Sequence, residues 1–508
     1  MALMKKTILF LCCCAMLSAC YEDKGNYDYS IVPEGVFEEI PDKYAVLRHD
    51  YVKINPVVST INGEDEYDYE WALYDGNKMV EVIGEEKDLN YQMTKVGKDS
   101  YSIVFKAVSR TTGVPYCKAL KLEIVTTWLW GWYVLKNIDG KTDLDYYTIP
   151  EVMEGLDEMF VHNLLGSSTG RQMEGEAKRI CYTKSYREFD SASGHYQEAT
   201  RLLLVSSDEV LVYNSSDGIV SRYTEDVFYS APEVKNFSKA FYSFMDIYLL
   251  NDGKLYKLKG DMYNVGRFGN YVFTPGGALT DYTLSDYVAG AAMQPVIVFD
   301  EISRSFFTIG YTEREFTACR NNPELPKYQL SDMDYDLVYM RPHSVLGTAS
   351  ALMKHRTKKE YIMLELKLRP KSSSTPEPHL VGVREIDPAH SVTKAKAYAA
   401  NFRIPYTYYA SDTEVRITDR TGLTEKLLWT APAGETITGI KFDIDHKSHY
   451  TLLIYTQNGD DYTVYIYWVD ASNDGTFVGD QPEAVLRGTG QVADVKNTAI
   501  SAEDGNDF

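Results

Sequence analysis

Seven strand–turn–strand units recur along the C-terminal three quarters of this chain of 508 residues. Their turns are centred near residues 140, 208, 252, 302, 357, 412 and 459. The average spacing is about 54 residues, which is in the range of four-stranded blades once longer loops are allowed. The pattern predicts an all-β fold with a seven-bladed β-propeller-like domain over 127–508. Six blades, eight blades and a pair of β-sandwiches are the alternatives.

The segment from about residue 27 to 125 reads as a separate module of about seven short strands. Apolar residues alternate with more polar ones at Tyr101, Ile103, Phe105 and Ala107. This rhythm predicts an immunoglobulin-like sandwich over 20–126, with Trp71 as the buried aromatic residue of a central strand. The only helical pattern of note, at 232–245, is expected in a loop between blades.

The first nineteen residues have the layout of a secretory signal peptide. Lys5 and Lys6 precede a short apolar stretch, and small residues then lead to Cys20. The ending LSAC resembles the lipobox of bacterial lipoproteins, which implies that the Cys20 thiol is lipidated. An ordinary signal peptide with a chance cysteine is the alternative. Glu22 and Asp23 resemble the signal that sends lipoproteins of the Bacteroidetes to the cell surface.

Three stretches carry a resemblance to a known family: CYEDKGNYDY, YDYEW and SIVFKAVSRTTGVPY. They resemble the PKD-like domain that opens a family of Bacteroidetes lipoproteins, often encoded beside SusC/SusD-like transporters. The resemblance implies a lipid-anchored protein of the outer membrane that faces the cell exterior. Its implied partners are a SusC/SusD-like complex and other surface lipoproteins, and its implied ligand is an oligopeptide or a glycan.

Charge and cysteine content narrow the range of functions. The chain carries 52 Lys and Arg against 73 Asp and Glu, a net charge of −21, which disfavours nucleic-acid binding. After the signal and Cys20, only Cys117, Cys181 and Cys319 remain. Their spacing matches no metal motif, and at most one disulfide can form. Buried strand thiols are the expected state.

Motifs for catalysis and metal binding are weak. Gly166-Ser167-Ser168-Thr169-Gly170 matches the letters of a nucleophile elbow, but no long helix follows, which indicates a flexible loop. His446 and His449, with Asp443 and Asp445, form a conceivable metal site, but a solvated hairpin turn is the commoner meaning. Asp470-x-Ser472-x-Asp474-Gly475 resembles the start of a calcium loop, yet Gln481 stands where Glu is needed. We therefore predict a protein that is not an enzyme and has neither a cofactor nor a metal ion.

Tyrosine is abundant, at 41 residues, and some rings are candidates for ligand contact. Tyr282, Tyr287, Tyr406, Tyr408 and Tyr409 lie near predicted loops, where they could stack on sugars or clamp an extended peptide. A chain so rich in tyrosine also exposes many rings without function.

Two further short motifs stand out in the sequence. Trp128, Trp130 and Trp132 alternate on one face of a strand, which is expected to be the innermost strand of the first blade and packed between sheets. A ligand platform is the alternative. Asp190-Ser191-Ala192 resembles the short O-glycosylation motif of these bacteria.

The family resemblance implies an accessory nutrient-binding lipoprotein of a SusC/SusD-like uptake system. The alternatives are a propeller-type surface hydrolase or lyase acting on polymer, and a structural or adhesion scaffold.

Overall fold

A computed structural model describes most of the chain. The described residues are 36–47, 50–59, 66–95, 100–125, 130–149, 158–190, 193–243, 246–258, 265–278, 280–290, 294–311, 313–344, 347–370, 377–400, 404, 406–419, 424–444, 450–470, 472 and 474–498. Cys20, Glu22, Asp23, Trp128, His446 and His449 lie outside them. Within these ranges, no helix combines the length and the apolar character that a membrane crossing requires.

The chain divides into two compact units. The first consists of Met1–Tyr44, Tyr51–Gln92 and Asp99–Leu122, and the second of Ala45–Asp50, Met93–Lys98 and Glu123–Phe508.

The N-terminal strands form an antiparallel sandwich-type module. A five-stranded sheet has the order β2-β9-β8-β5-β6, and two pairs, β1-β4 and β3-β7, accompany it. The strands are β1 (Val36–Glu38), β2 (Lys43–Leu47), β3 (Tyr51–Ile54), β4 (Val57–Ser59), β5 (Tyr67–Asp75), β6 (Lys78–Gly84), β7 (Leu89–Gln92), β8 (Tyr101–Ser109) and β9 (Pro115–Val125). The predicted alternation in β8 is confirmed, because its odd-numbered residues from Tyr101 to Ser109 are buried.

Trp71 is the centre of this module, as predicted. Its ring is fully buried in β5, and its centroid lies 4.4 Å from that of Phe105 in β8. The indole Nε1 donates to the carbonyl oxygen of Glu86 at 3.1 Å. The indole ring of Trp71 is thus packed against an apolar ring, and its N–H has a hydrogen-bond acceptor.

The second unit is a β-propeller with seven sheets in the described residues, each an antiparallel blade. In chain order, the strands of blades one to four are β10 (Gly131–Ile138), β11 (Lys141–Thr148), β12 (Phe160–Val161), β13 (Met173–Glu174); β14 (Ala177–Asp190), β15 (His195–Ser206), β16 (Val210–Asn214), β17 (Ile219–Arg222); β18 (Phe237–Ser243), β19 (Asp246–Asn251), β20 (Lys254–Leu258); β21 (Val296–Asp300), β22 (Ser305–Ile309), β23 (Thr317–Ala318).

Blades five to seven follow in the same way. Their strands are β24 (Tyr335–Ser344), β25 (Thr348–His355), β26 (Tyr361–Lys367), β27 (Leu380–Ile386); β28 (Ala397–Ala400), β29 (Tyr406–Ala410), β30 (Glu414–Asp419), β31 (Glu425–Thr430); β32 (Thr436–Ile444), β33 (Tyr450–Asn458), β34 (Asp461–Asp470), β35 (Thr476–Phe477), β36 (Ala484–Thr489). Each of the seven turns expected from the sequence joins two paired strands of one blade.

The last strand, β37 (Gln491–Asn497), closes the ring. It pairs with β10, so that Trp132 lies opposite Asn497 across a sequence separation of several hundred residues. It also contacts β14 of blade two and β32 of blade seven, which makes it the innermost strand of blade one. The expectation that the tryptophan strand is innermost is therefore wrong. Trp132 is buried as predicted, whereas Trp130 is 40% exposed.

The segment that joins blades three and four is irregular, and it pairs with the edges of both blades without forming regular strands. Val272 donates its N–H to the carbonyl of Leu255, which places the connection beside the outer edge of blade three. Further on, Ala289 and Ile297 exchange two backbone hydrogen bonds, so the connection also supplies the inner edge of blade four. Residues 265–278 and 280–290 are the described parts of this connection.

The described helical segments are short: α1 (Leu164–Thr169), α2 (Thr224–Val227) and a 3₁₀ turn at Ser391–Lys394. The helical pattern at 232–245 does not form a helix in its described residues, and half of the segment is strand β18. Phe237, Ala240 and Phe241 are spaced like one face of a helix, yet both faces of this strand are covered by protein. All three described cysteines are free. Cys181 and Cys319 are buried as expected, but Cys117 is exposed.

Candidate ligand-binding cavity

A cavity of about 330 Å³ opens between the irregular connection and blade four. We call it the blade-four cavity. Its lining residues are Thr274, Pro275, Ala278, Thr280, Asp281, Tyr282, Leu284, Asp300, Ser303, Phe307 and Phe316. The volume is at the lower end of the range for pockets that hold small molecules.

The floor of the blade-four cavity is apolar. Tyr282, Leu284 and Phe316 are buried, and the Tyr282 and Phe316 rings meet edge to face with centroids 5.3 Å apart. The Tyr282 hydroxyl donates to the carbonyl of Val272 at 3.0 Å and accepts the N–H of Leu255 at 3.2 Å. Burial is the main cause that raises the pKa of Tyr282 above its usual range. Tyr282 therefore offers the cavity a neutral ring.

Asp300, on one wall, is saturated by protein donors. Its Oδ1 accepts the N–H groups of Thr283 at 2.8 Å and Ile302 at 3.2 Å. Its Oδ2 accepts the N–H of Ser303 at 3.0 Å and the hydroxyl of Ser303 at 2.6 Å. The carboxylate thus holds the turn after β21 in place, because it satisfies the backbone groups of that turn.

The opposite rim is a tight turn at residues 274–278. Gly276 and Gly277 have φ values of +89° and +75°, which side chains disfavour, so this Pro-Gly-Gly turn needs its glycines. The Thr274 hydroxyl donates to the carbonyl of Ala278 at 2.7 Å. The Thr280 hydroxyl in turn donates to Thr274 Oγ1 at 2.8 Å.

The remaining charge at the rim belongs to Asp281, which is fully exposed to solvent. Lys254 Nζ lies 2.7 Å from its Oδ1 and 4.8 Å from the centroid of the Tyr282 ring. The hydrogen bond from Lys254, and then its charge, lower the pKa of Asp281. Lys254 therefore contacts both the rim, at Asp281, and the aromatic floor, at Tyr282.

A second cavity of about 290 Å³ lies near the same connection. Lys257 forms part of its lining, and its ammonium group is bound by other groups of the protein. Its Nζ lies 2.9 Å from Asp246 Oδ2 and donates to the carbonyls of Gly310 at 2.6 Å and Tyr311 at 2.7 Å. The two described cavities therefore both depend on the connection between blades three and four.

The five tyrosines singled out from the sequence do not form one site. Tyr282 lines the blade-four cavity, while Tyr408 and Tyr409 are buried in β29 of blade six. Tyr408 and Tyr409 therefore lie within a blade and not in an exposed loop. Tyr287 and Tyr406 are partly exposed. Ligand contact by the five rings stays a prediction.

Hydrogen bonds explain the burial in blade six. Tyr408 donates to the carbonyl of Gly475 at 2.5 Å, and Tyr406 donates to Asp474 Oδ1 at 3.2 Å. The calcium-like stretch 470–475 is thus held by tyrosine hydroxyls of the neighbouring blade. Tyr409 donates to Glu425 Oε1 at 2.7 Å, which helps to lower the pKa of that glutamate.

The motif with the letters of a nucleophile elbow lies in helix α1, not in a flexible loop. The hydroxyls of Ser167 and Ser168 both donate to the carbonyl of Leu164, at 3.1 and 2.6 Å. Asp143 accepts the N–H of Leu165 at 2.9 Å and so anchors the start of the helix. Ser168 is thereby tied to its own helix backbone.

The metal site considered from the sequence consists of Asp443, Asp445, His446 and His449. Only Asp443 lies within the described residues. Asp443 Oδ1 lies 2.9 Å from Lys496 Nζ, and its Oδ2 accepts the N–H of Asn497 at 3.0 Å. Across the described part of the chain, no group of three or more His, Cys, Asp or Glu side chains could hold a metal ion.

Sequence reasoning missed most of the cavity. Phe307 and Phe316 look like ordinary strand residues, and Thr274 and Thr280 look like ordinary loop residues. One available signal was the Pro275-Gly276-Gly277 turn between the turns at 252 and 302, because Pro-Gly and Gly-Gly pairs mark tight turns.

Comparisons with known proteins agree with parts of this description. Residues 20–177 match the model of the PKD-like family, and the match extends beyond the N-terminal module into blade two. No curated protein matches the chain.

Solved structures give low similarity over long stretches. A quinoprotein alcohol dehydrogenase-like protein from Bacteroides thetaiotaomicron has 11% identity and a TM-score of 0.37, covering 92% of this chain and 99% of its own. A protein of unknown function from the same organism has 11% identity and a TM-score of 0.31, covering 92% and 100%. The β-propeller domain of Myceliophthora thermophila Cps50 (Swd1) has 11% identity and a TM-score of 0.39, covering 66% and 100%. The propeller assignment therefore stands on the sheet topology above.

Proposed function

We propose that this protein is a surface lipoprotein that binds a nutrient without chemically changing it. The observation that carries the proposal is the blade-four cavity, whose carboxylates are both engaged within the protein. Asp300 accepts three hydrogen bonds from its own turn and one from the N–H of Thr283, and Asp281 is paired with Lys254. General acid–base catalysis needs a group that is free to exchange a proton with a ligand. An apolar floor with a polar rim is instead suited to binding.

The proposed location rests on the N-terminal sequence. A lipid on Cys20 anchors the protein to the outer membrane, and Glu22 and Asp23 direct it to the outer surface. Anchoring beside a transporter raises the effective concentration of a bound nutrient there. The PKD-like match over 20–177 supports this assignment by resemblance. The proposed partner is accordingly a SusC/SusD-like transporter complex.

The decisive experiment is a purification of the tagged full chain from native outer membrane in mild detergent, followed by mass spectrometry. We expect a transporter barrel and its lid lipoprotein to elute in stoichiometric amounts. The control is Cys20→Ser, which removes the lipidated thiol and should greatly reduce recovery from the membrane. Elution of the wild-type chain alone would contradict the proposed role.

A further inference from the structure

The rim of the blade-four cavity presents acceptors to a ligand. The hydroxyl hydrogens of Thr274, Thr280 and Ser303 are all directed to protein oxygens, as described above. These hydroxyls can therefore only accept hydrogen bonds from a ligand, through the lone pairs of their oxygens. The Asp281 carboxylate at the same rim is paired with Lys254, so this pair adds no net charge there. A ligand that donates hydrogen bonds to the hydroxyl oxygens is therefore favoured.

The floor imposes a second requirement. Leu284, Phe307 and Phe316 contribute apolar side chains, and the hydroxyl of Tyr282 is used by Leu255 and Val272. A sugar hydroxyl placed on this floor would lose its hydrogen bonds to water without gaining a partner, which is unfavourable. An aromatic or branched aliphatic group loses no hydrogen bond there and gains apolar contact.

From these two requirements we infer that the blade-four cavity binds one aromatic side chain of an oligopeptide. The side chain packs on Tyr282, Leu284 and Phe316, and the peptide N–H groups donate to the acceptors of the rim. This inference rests on the proposed function and makes the captured nutrient a peptide. A cavity of about 330 Å³ takes one such side chain and not a folded domain.

Calorimetry on the full chain in mild detergent tests the inference. The probes are the peptide amides Gly-Phe-Gly and Gly-Ser-Gly, and the glycan probe is cellotriose. We expect Gly-Phe-Gly to bind at least about tenfold more tightly than Gly-Ser-Gly, a difference of roughly 1.4 kcal/mol.

A matched pair of variants localises the binding. Ala278→Trp adds a bulky side chain at the exposed mouth of the cavity, and Ala389→Trp adds the same group at an exposed loop of the same unit. We expect Ala278→Trp to abolish Gly-Phe-Gly binding and Ala389→Trp to leave it unchanged. Equal binding by the two variants would overturn the site. Cellotriose binding that Ala278→Trp blocks, with no peptide binding, would overturn the peptide assignment.

The inference and the proposed function can fail separately. Co-purification of the transporter does not require the cavity, so the Ala278→Trp chain should still elute with it. Loss of peptide binding with intact co-purification contradicts the cavity assignment alone. Peptide binding by a chain that elutes without a transporter contradicts the uptake role alone.

Discussion

Lys441 and Asp494 form a buried ion pair where the propeller ring closes, with Nζ and Oδ1 2.8 Å apart. Lys441 lies on β32 of blade seven and Asp494 on β37 of blade one. A second pair, Lys496 with Asp443, crosses the same seam in the reverse sense at 2.9 Å. The closing strand is therefore held by charge as well as by its backbone pairing with β10.

We expect Asp494→Asn to destabilise the protein strongly. The substitution leaves the ammonium of Lys441 buried without its counter-charge, which typically costs about 3–5 kcal/mol. Urea denaturation followed by circular dichroism measures the loss. The control is Asp412→Asn, which breaks an exposed pair with Lys396 and should cost less than about 1 kcal/mol. Similar losses in the two variants would show that the seam is not stabilised by this pair.

The buried imidazole of His379 should make stability depend on pH. Burial, and then the charge of Arg320, lower its pKa from 6.5 to about 4, and its Nδ1 accepts the N–H of Arg320 at 2.8 Å. Below pH 6.5 the unfolded chain takes up a proton that the folded chain refuses until about pH 4. The free energy of unfolding therefore falls as the pH drops through this window.

His379→Asn isolates this contribution, because asparagine keeps an acceptor but does not titrate. We expect the urea midpoint of the wild type to fall more steeply between pH 6.5 and about 4 than that of the variant. Parallel pH profiles for the two proteins would contradict the assignment.

We expect the hydroxyl of Tyr282 to contribute to the free energy of unfolding through its two hydrogen bonds. Tyr282→Phe leaves the buried N–H of Leu255 and the carbonyl of Val272 without this partner, a loss of about 1–3 kcal/mol. Hydrogen exchange at Leu255, together with urea denaturation, measures the effect. Tyr229→Phe is the control because Tyr229 is 65% exposed. An unchanged exchange rate at Leu255 would rule out the bridging role.

Ser168 should not react as a serine nucleophile. Its hydroxyl donates to the carbonyl of Leu164 within helix α1, and an activated serine instead donates to a general base. Incubation with a fluorophosphonate probe followed by peptide mass spectrometry should leave Ser168 unmodified. Stoichiometric labelling there would revive the hydrolase alternative.

The blade repeat could be predicted because turn signals are local. Asp139-Gly140 and Asp252-Gly253 adopt positive φ at the first and third of the seven turns, and such pairs are visible in the sequence. The closing strand could not be found in this way. Its partner β10 is distant in sequence, and nothing near 491–497 indicates which edge it will meet.

The burial of Tyr408 and Tyr409 could not be predicted from the sequence for a different reason. Strand alternation reveals which side chains are buried when one face of a sheet meets solvent. In β29 the four residues from Thr407 to Ala410 are all buried, because neighbouring structure covers both faces. Tyr282 lines a ligand-sized cavity, but its buried position depends on the irregular connection, which has no periodic pattern.

The late position of β37 has a consequence for how the chain acquires its fold. A polypeptide emerges from its N-terminus, so β10 is made long before residues 491–497 can pair with it. Until then one edge of β10 carries unpaired N–H and C=O groups, the kind of edge that recruits strands from other chains. Transient exposure of such edges promotes aggregation of large β-proteins. The ring therefore cannot close until the strand at 491–497 has been synthesised and has paired with β10.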